Sequence, residues 1–192
     1  MTQFNYHGPF VIPFQKTRVG GRLISPQANP NAIKTFWIDV NRATKLPLEK
    51  HIGCYIFGMK AGRGITPHYI GKTTANFQQE VFGLHQIHRY NIALSNAKKG
   101  TPVMFFVECP VNTSAKVTTG KEIGQLEKFL INLGFMVNPN IQNTQHVNQQ
   151  PIWGIEGVVR STKGRPSKNA ALNALPFQKL FPLSPSQAYA FK

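Results

Sequence analysis

A glutamate occupies a position where an amphipathic helix would carry leucine. In Gly124-Gln125-Leu126-Glu127-Lys128-Phe129-Leu130-Ile131, helical spacing places Ile123, Leu130 and Ile131 at i−4, i+3 and i+4 from Glu127. The carboxylate therefore lies on the apolar stripe that should face a sheet. Burying an unpaired charge is costly. A divalent cation or a hydrogen-bonded partner would remove the cost, and the plainer alternative is a side chain that reaches past the stripe to water.

Two tyrosines stand on a pattern that reads as a hairpin. Gly53-Cys54-Tyr55-Ile56-Phe57-Gly58-Met59 is a buried strand, Lys60-Ala61-Gly62-Arg63-Gly64 a turn, and Pro67-His68-Tyr69-Ile70-Gly71 the returning strand. This hairpin is expected to set Tyr55 and Tyr69 facing one another. A phenol with a pKa near 10 is a poor base unless a cation lowers that value, and Lys72, directly after Gly71, is the candidate cation. Two core tyrosines are the ordinary alternative. Further on, Gln78, His85 and Arg89 are expected on one helical face, at spacings of seven and four. Arg89 lies eleven residues after Gln78, about 16 Å along a straight axis. Only a bent or shifted helix would bring His85 or Arg89 to the tyrosines.

Charge bounds the function. Lys and Arg number 22 against 7 acidic residues, giving a net charge of +15. A domain this basic repels itself, so a polyanionic partner is expected, with binding that weakens as salt rises. A ribosome-associated or merely basic surface protein is the alternative. Arg63 in the turn and Arg160, Lys163, Arg165 and Lys168 near the C-terminus are the candidate nucleic-acid contacts. Thr162-Lys163-Gly164-Arg165-Pro166-Ser167-Lys168 looks like an AT-hook: an extended Arg-Pro backbone fits the minor groove, where A·T tracts concentrate negative potential. DNA is favoured over RNA on this reading.

These residues need elements to position them. The expected organisation is a basic β-containing N-terminal extension over residues 1–50, a central α/β domain over 51–145 and a basic C-terminal extension over 146–192. Residues 10–14 suggest an edge strand and 35–40 a strand rich in β-branched and aromatic residues. A helix is expected over 74–94 with Thr73 or Thr74 as its cap. A third core strand follows over 102–109, then a helix over 119–133 ended by Gly134, a strand over 152–159 and a helix over 169–175. The fold class is α/β: a small, mostly antiparallel central sheet flanked by helices, with the extensions wrapped on it. Cys54 and Cys109 form no C-x-x-C pair, so a structural zinc site is not expected; reduced cysteines and a cytoplasmic location are the default expectation. No apolar run approaches the length of a membrane span.

Gly53-Cys54-Tyr55 followed by Tyr69-Ile70-Gly71, with the order hairpin, helix, strand, helix over residues 51–140, resembles the GIY-YIG endonucleases. The middle Ile of the first triplet is Cys54. The resemblance implies a metal-dependent endonuclease that hydrolyses phosphodiester bonds. Glu127 would hold one Mg²⁺ or Mn²⁺ beside Tyr55 and Tyr69, and Asn140 would orient that carboxylate. Family members also carry an Arg about two turns into the first helix, which clamps the scissile phosphate. Here that place falls in Phe77-Gln78-Gln79-Glu80-Val81-Phe82, which has no Arg. His85 and Arg89 are the candidate substitutes. The alternative is a nuclease-like fold that has lost the clamp and only grips nucleic acid.

Overall fold

A computed structural model of the 192-residue chain describes residues 3–18, 20–97, 99–109, 120–143, 154–155 and 180. Its centre is a sheet with strand order β5-β4-β6-β1-β7. The strands are β1 (Gln3–Val11), β4 (Gly53–Ala61), β5 (Gly64–Thr73), β6 (Thr101–Glu108) and β7 (Gly154–Ile155). β5, β4, β6 and β1 pair antiparallel, and β7 adds to β1 in parallel. A small hairpin, β2 (Gln15–Lys16) and β3 (Arg22–Leu23), stands apart from this sheet. The α/β class with a mostly antiparallel sheet flanked by helices is as expected. Residues 3–11, expected as part of an extension, form a strand of the sheet itself.

Both faces of the sheet are covered, which is why β4 and β6 read as nearly continuous apolar runs instead of alternating ones. Cys54, Ile56, Ile70, Val103, Phe105 and Val107 face α4 (Gly120–Val137), packing on Ile123, Leu126, Leu130 and Leu133. Tyr55, Phe57, Met59, Tyr69, Met104 and Phe106 face the opposite layer. That layer contains α1 (Pro30–Thr44), α2 (Phe77–Val81) and α3 (Leu84–Asn96).

Three local expectations change. Residues 35–40 are helical and belong to α1. Asn29 caps this helix by accepting a hydrogen bond from Ala32 N at 3.1 Å, and Pro30 sits at its first position. Ile33, Phe36, Trp37 and Val40 then fall at i, i+3, i+4 and i+7, the spacing of one helix face. Burial of that face outweighs the strand preference of the aromatic and β-branched side chains. The helix expected over 74–94 is two helices, α2 and α3, broken at Phe82-Gly83. Asn76, not Thr73 or Thr74, caps α2 by accepting from Gln79 N at 2.8 Å. Gly134 does not end α4 but lies inside it. A Cβ there would lie 2.6 Å from Ile141 Cδ1 and 2.9 Å from Ile70 Cδ1, so this glycine permits a close approach to the sheet. Of the strand expected over 152–159, residues 154 and 155 are described; the helix expected over 169–175 lies outside the described residues.

Candidate functional site

Hairpin register decides where the tyrosines go. Tyr55 pairs with Gly71, and Tyr69 pairs with Phe57. The two tyrosines are therefore diagonal neighbours and not direct partners. Their rings still meet, with centroids 6.2 Å apart. Gly71 is required by this arrangement, because a Cβ on it would clash with both Cζ and the hydroxyl oxygen of Tyr55. Tyr90 of α3 completes the cluster: it stacks on Phe57 at 4.4 Å and meets Tyr69 edge-on at 5.8 Å. Its hydroxyl donates to Val81 O at 2.9 Å, fastening α3 to α2 across the break.

These phenols are poorly suited to losing a proton. Burial pushes Tyr55, Tyr69 and Tyr90 all upward from their ordinary value, and the carboxylate of Glu80 adds to the effect on each. Arg89 pulls Tyr69 the other way, but its effect is smaller than that of burial. The Tyr55 hydroxyl is buried without a hydrogen-bond partner of normal geometry, although Gln86 and Tyr69 lie near enough to bias it. Glu80 accepts a hydrogen bond from Gln86 Nε2.

Lys72 and Glu127 lie on the other face. Lys72 follows Tyr69 by three residues on a strand, so its side chain points away from the tyrosine layer. Lys72 Nζ donates to Glu127 Oε2 at 2.7 Å. Glu127 thus sits on the apolar stripe, among buried Ile123, Leu130 and Ile131, and its charge is met by an ammonium. Lys72 and Glu127 thus pair on the face opposite to Tyr55 and Tyr69; Glu127 is still near enough to push Tyr69 further up, and Lys72 is not among the groups that lower the phenol values.

The other candidates also separate. Because the helix breaks at Gly83, Gln78 stands on α2 and shares no continuous face with His85 and Arg89. His85 is exposed in the first turn of α3; Arg89 is half-buried and lies close enough to Tyr69 to act on it electrostatically. Asn140 is exposed, and its backbone N–H donates to Asn138 Oδ1 at 3.0 Å. Among the described hydrogen bonds of Asn140 none reaches Glu127. Arg63 is exposed in the β4–β5 turn. Arg160, Lys163, Arg165 and Lys168 lie outside the described residues.

Sequence reasoning missed two polar constructions. Asn143 covers the outer edge of β5: Ile70 N donates to Asn143 Oδ1 at 3.1 Å, while Asn143 Nδ2 donates to Ile70 O. Asn138 Nδ2 adds a bond to Pro67 O at 2.7 Å. One amide side chain thus stands in for a neighbouring strand, which blunts an open edge. The Asn-rich stretch after α4 was its only sequence signal. The second construction is Glu108, buried between two imidazoles. His7 Nε2 lies 2.9 Å from Glu108 Oε2, and His51 Nδ1 lies 2.5 Å from Oε1. Burial pushes this carboxyl up, but the two histidines together hold it below its ordinary value.

Comparison with protein-family models, curated proteins and solved structures finds no match. No described helix is long and apolar enough to cross a membrane. Among the described residues, no group of three or more His, Cys, Asp and Glu is arranged to hold a metal ion. Cys54 and Cys109 form no disulfide, and both are buried.

Proposed function

We propose that this chain binds nucleic acid, duplex DNA in preference to RNA, on a nuclease-like α/β scaffold. The observation that carries the reading is the charge of +15, set beside the way the acids are occupied. Glu127 is held by Lys72, Glu108 by two histidines and Asp39 by Arg42. With 7 acidic residues against 22 Lys and Arg, cations far outnumber the carboxylates that would oppose a phosphate backbone. Affinity for duplex DNA should fall by roughly 10³-fold or more between about 50 and 200 mM salt if six or more phosphates are contacted. A flat salt response would overturn the reading.

The residues present do not fit the Mg²⁺ or Mn²⁺ that the family resemblance implies at Glu127. One carboxylate oxygen is taken by an ammonium, the tyrosine rings pack on the far face of the sheet, and no described hydrogen bond links Asn140 to the group. Metal-dependent hydrolysis is the second reading. What favours it is the tyrosine face: Tyr55 carries a buried hydroxyl without a proper partner, and Glu127, Glu80 and Arg89 all lie near enough to act on Tyr69. Incubating the protein with plasmid and with RNA, plus and minus Mg²⁺ or Mn²⁺, separates the two. Tight binding without cleavage supports the binding module, and metal-dependent nicking supports the hydrolase.

A further inference from the structure

The two ends of the sheet differ in chemistry. At one end, Gly53 pairs with Thr73 and with Glu108, and Cys54 pairs with Lys72. The buried His7–Glu108–His51 group and the Lys72–Glu127 pair belong to this end. At the other end, Lys60 pairs with Ile65 and with Thr101, and Ala61 with Gly64, closing the turn that carries Arg63. The α3–β6 connection packs against that turn: a Cβ on Gly100 would lie 3.1 Å from the Lys60 carbonyl oxygen and 3.6 Å from Ala61 Cβ.

Arg22 joins the small β2–β3 hairpin to the same end. Lys16 pairs with Arg22, and the Arg22 guanidinium donates to the carbonyl oxygens of Ala97, Gly100 and, at 3.3 Å, Leu94. Arg22 thereby satisfies the last carbonyls of α3 and opposes the negative end of its dipole, which would otherwise repel a phosphate.

The described residues of three segments, 16–23, 58–67 and 95–102, are brought together in this way. They contain no Asp or Glu. They present Lys16, Arg18, Lys60, Arg63 and Lys99, all exposed, and none of the five is in an ion pair among the described residues. The same segments contain no Phe, Tyr or Trp. Surfaces that bind single strands stack bases on aromatic rings, whereas a duplex backbone asks only for cations.

We propose that this end of the sheet is the surface on which a DNA duplex lies, its phosphates contacted by Lys16, Arg18, Lys60, Arg63 and Lys99. The inference rests on the nucleic-acid reading above and adds a location. From Cys54 to Lys60 the strand advances about 20 Å, so the surface is separate from the Lys72–Glu127 pair.

The test uses the full chain and a 20-base-pair duplex, with affinity measured by fluorescence anisotropy across about 50–200 mM salt. The triple variant Lys60→Ala, Arg63→Ala, Lys99→Ala is compared with Lys34→Ala, Lys50→Ala, Lys121→Ala, which loses the same charge from exposed positions elsewhere. The first triple should flatten the slope of log affinity against log salt by about 2.7, three contacts at about 0.9 each, and the second should change it much less. Equal losses in both triples would overturn the surface and leave the nucleic-acid reading standing. Wild-type protein that fails to bind duplex would overturn both. A single strand of the same sequence bound as tightly as the duplex would overturn the assignment to duplex.

Discussion

Lys72 and Glu127 meet at 2.7 Å across the face of the sheet opposite to Tyr55 and Tyr69. The Lys72 side chain is 42% exposed and that of Glu127 17%, so the pair is neither fully solvated nor fully buried. A pair of this kind contributes modestly to stability, with a coupling of about 0.5–1 kcal/mol in a double-mutant cycle. Urea denaturation of Lys72→Ala, Glu127→Ala and the double variant should return that coupling, while DNA affinity of Glu127→Ala stays within about twofold of wild type, since phosphate contacts come from Lys and Arg. Zero coupling together with loss of metal-dependent cleavage in Glu127→Gln would instead assign Glu127 to an ion.

Gly71 is fixed by the ring of Tyr55. Gly71→Ala puts a methyl group where that ring lies, and the ring is wholly buried. Overpacking of this kind costs about 1–3 kcal/mol. Thermal or urea unfolding of Gly71→Ala should show that loss, and Tyr55→Leu in the same background should recover part of it by removing the clash. A Gly71→Ala protein as stable as wild type would contradict the packing.

The three central strands were legible because turn residues bound runs of apolar side chains, and Glu127 stood out because it interrupts a helical stripe. The separation of faces was also in the sequence: Tyr69 and Lys72 are three apart on one strand, so they cannot share a side of the sheet. The family pattern drew them together despite that parity. Helix α1 was hidden because its aromatic and β-branched residues favour a strand locally, while the stronger signal, Asn29-Pro30 followed by apolar residues at i, i+3, i+4 and i+7, depends on a sheet face to bury them. The break at Gly83 required knowing that Tyr90 reaches back to Val81. His7 and Glu108 are 101 residues apart, and only the pairing of β1 with β6 brings them together.

Glu108 gives a pH dependence whose sign follows from its shift. Its carboxyl is held below the ordinary value of 4.5 by His7 and His51, which outweigh burial. A carboxyl with a lowered folded pKa stabilises the protein above its unfolded value, and that contribution is lost as pH falls from 4.5 through the folded value. Wild-type stability should therefore drop over this acid window, and Glu108→Gln should be less stable at neutral pH but show a shallower drop. Stability curves by urea denaturation between about pH 3 and 7 check this. Parallel curves for the two proteins would remove Glu108 from the acid response.

The Tyr55 hydroxyl separates packing from chemistry. The ring fills space beside Gly71, Tyr69 and Tyr90, and Phe would fill it equally well. The hydroxyl is buried without a proper hydrogen bond, and such a group costs about 1–3 kcal/mol of desolvation. Tyr55→Phe should therefore leave the protein as stable as wild type or raise its stability by about 1 kcal/mol, measured by urea denaturation. DNA affinity should not change, because the hydroxyl is not at the basic end of the sheet. If the phenol serves hydrolysis, the same variant should lose metal-dependent cleavage at unchanged or higher stability, the expected trade when a strained polar group is kept for activity. A Tyr55→Phe protein that is clearly less stable than wild type would mean that the hydroxyl has a partner in solution, and the tyrosine cluster would then be structural.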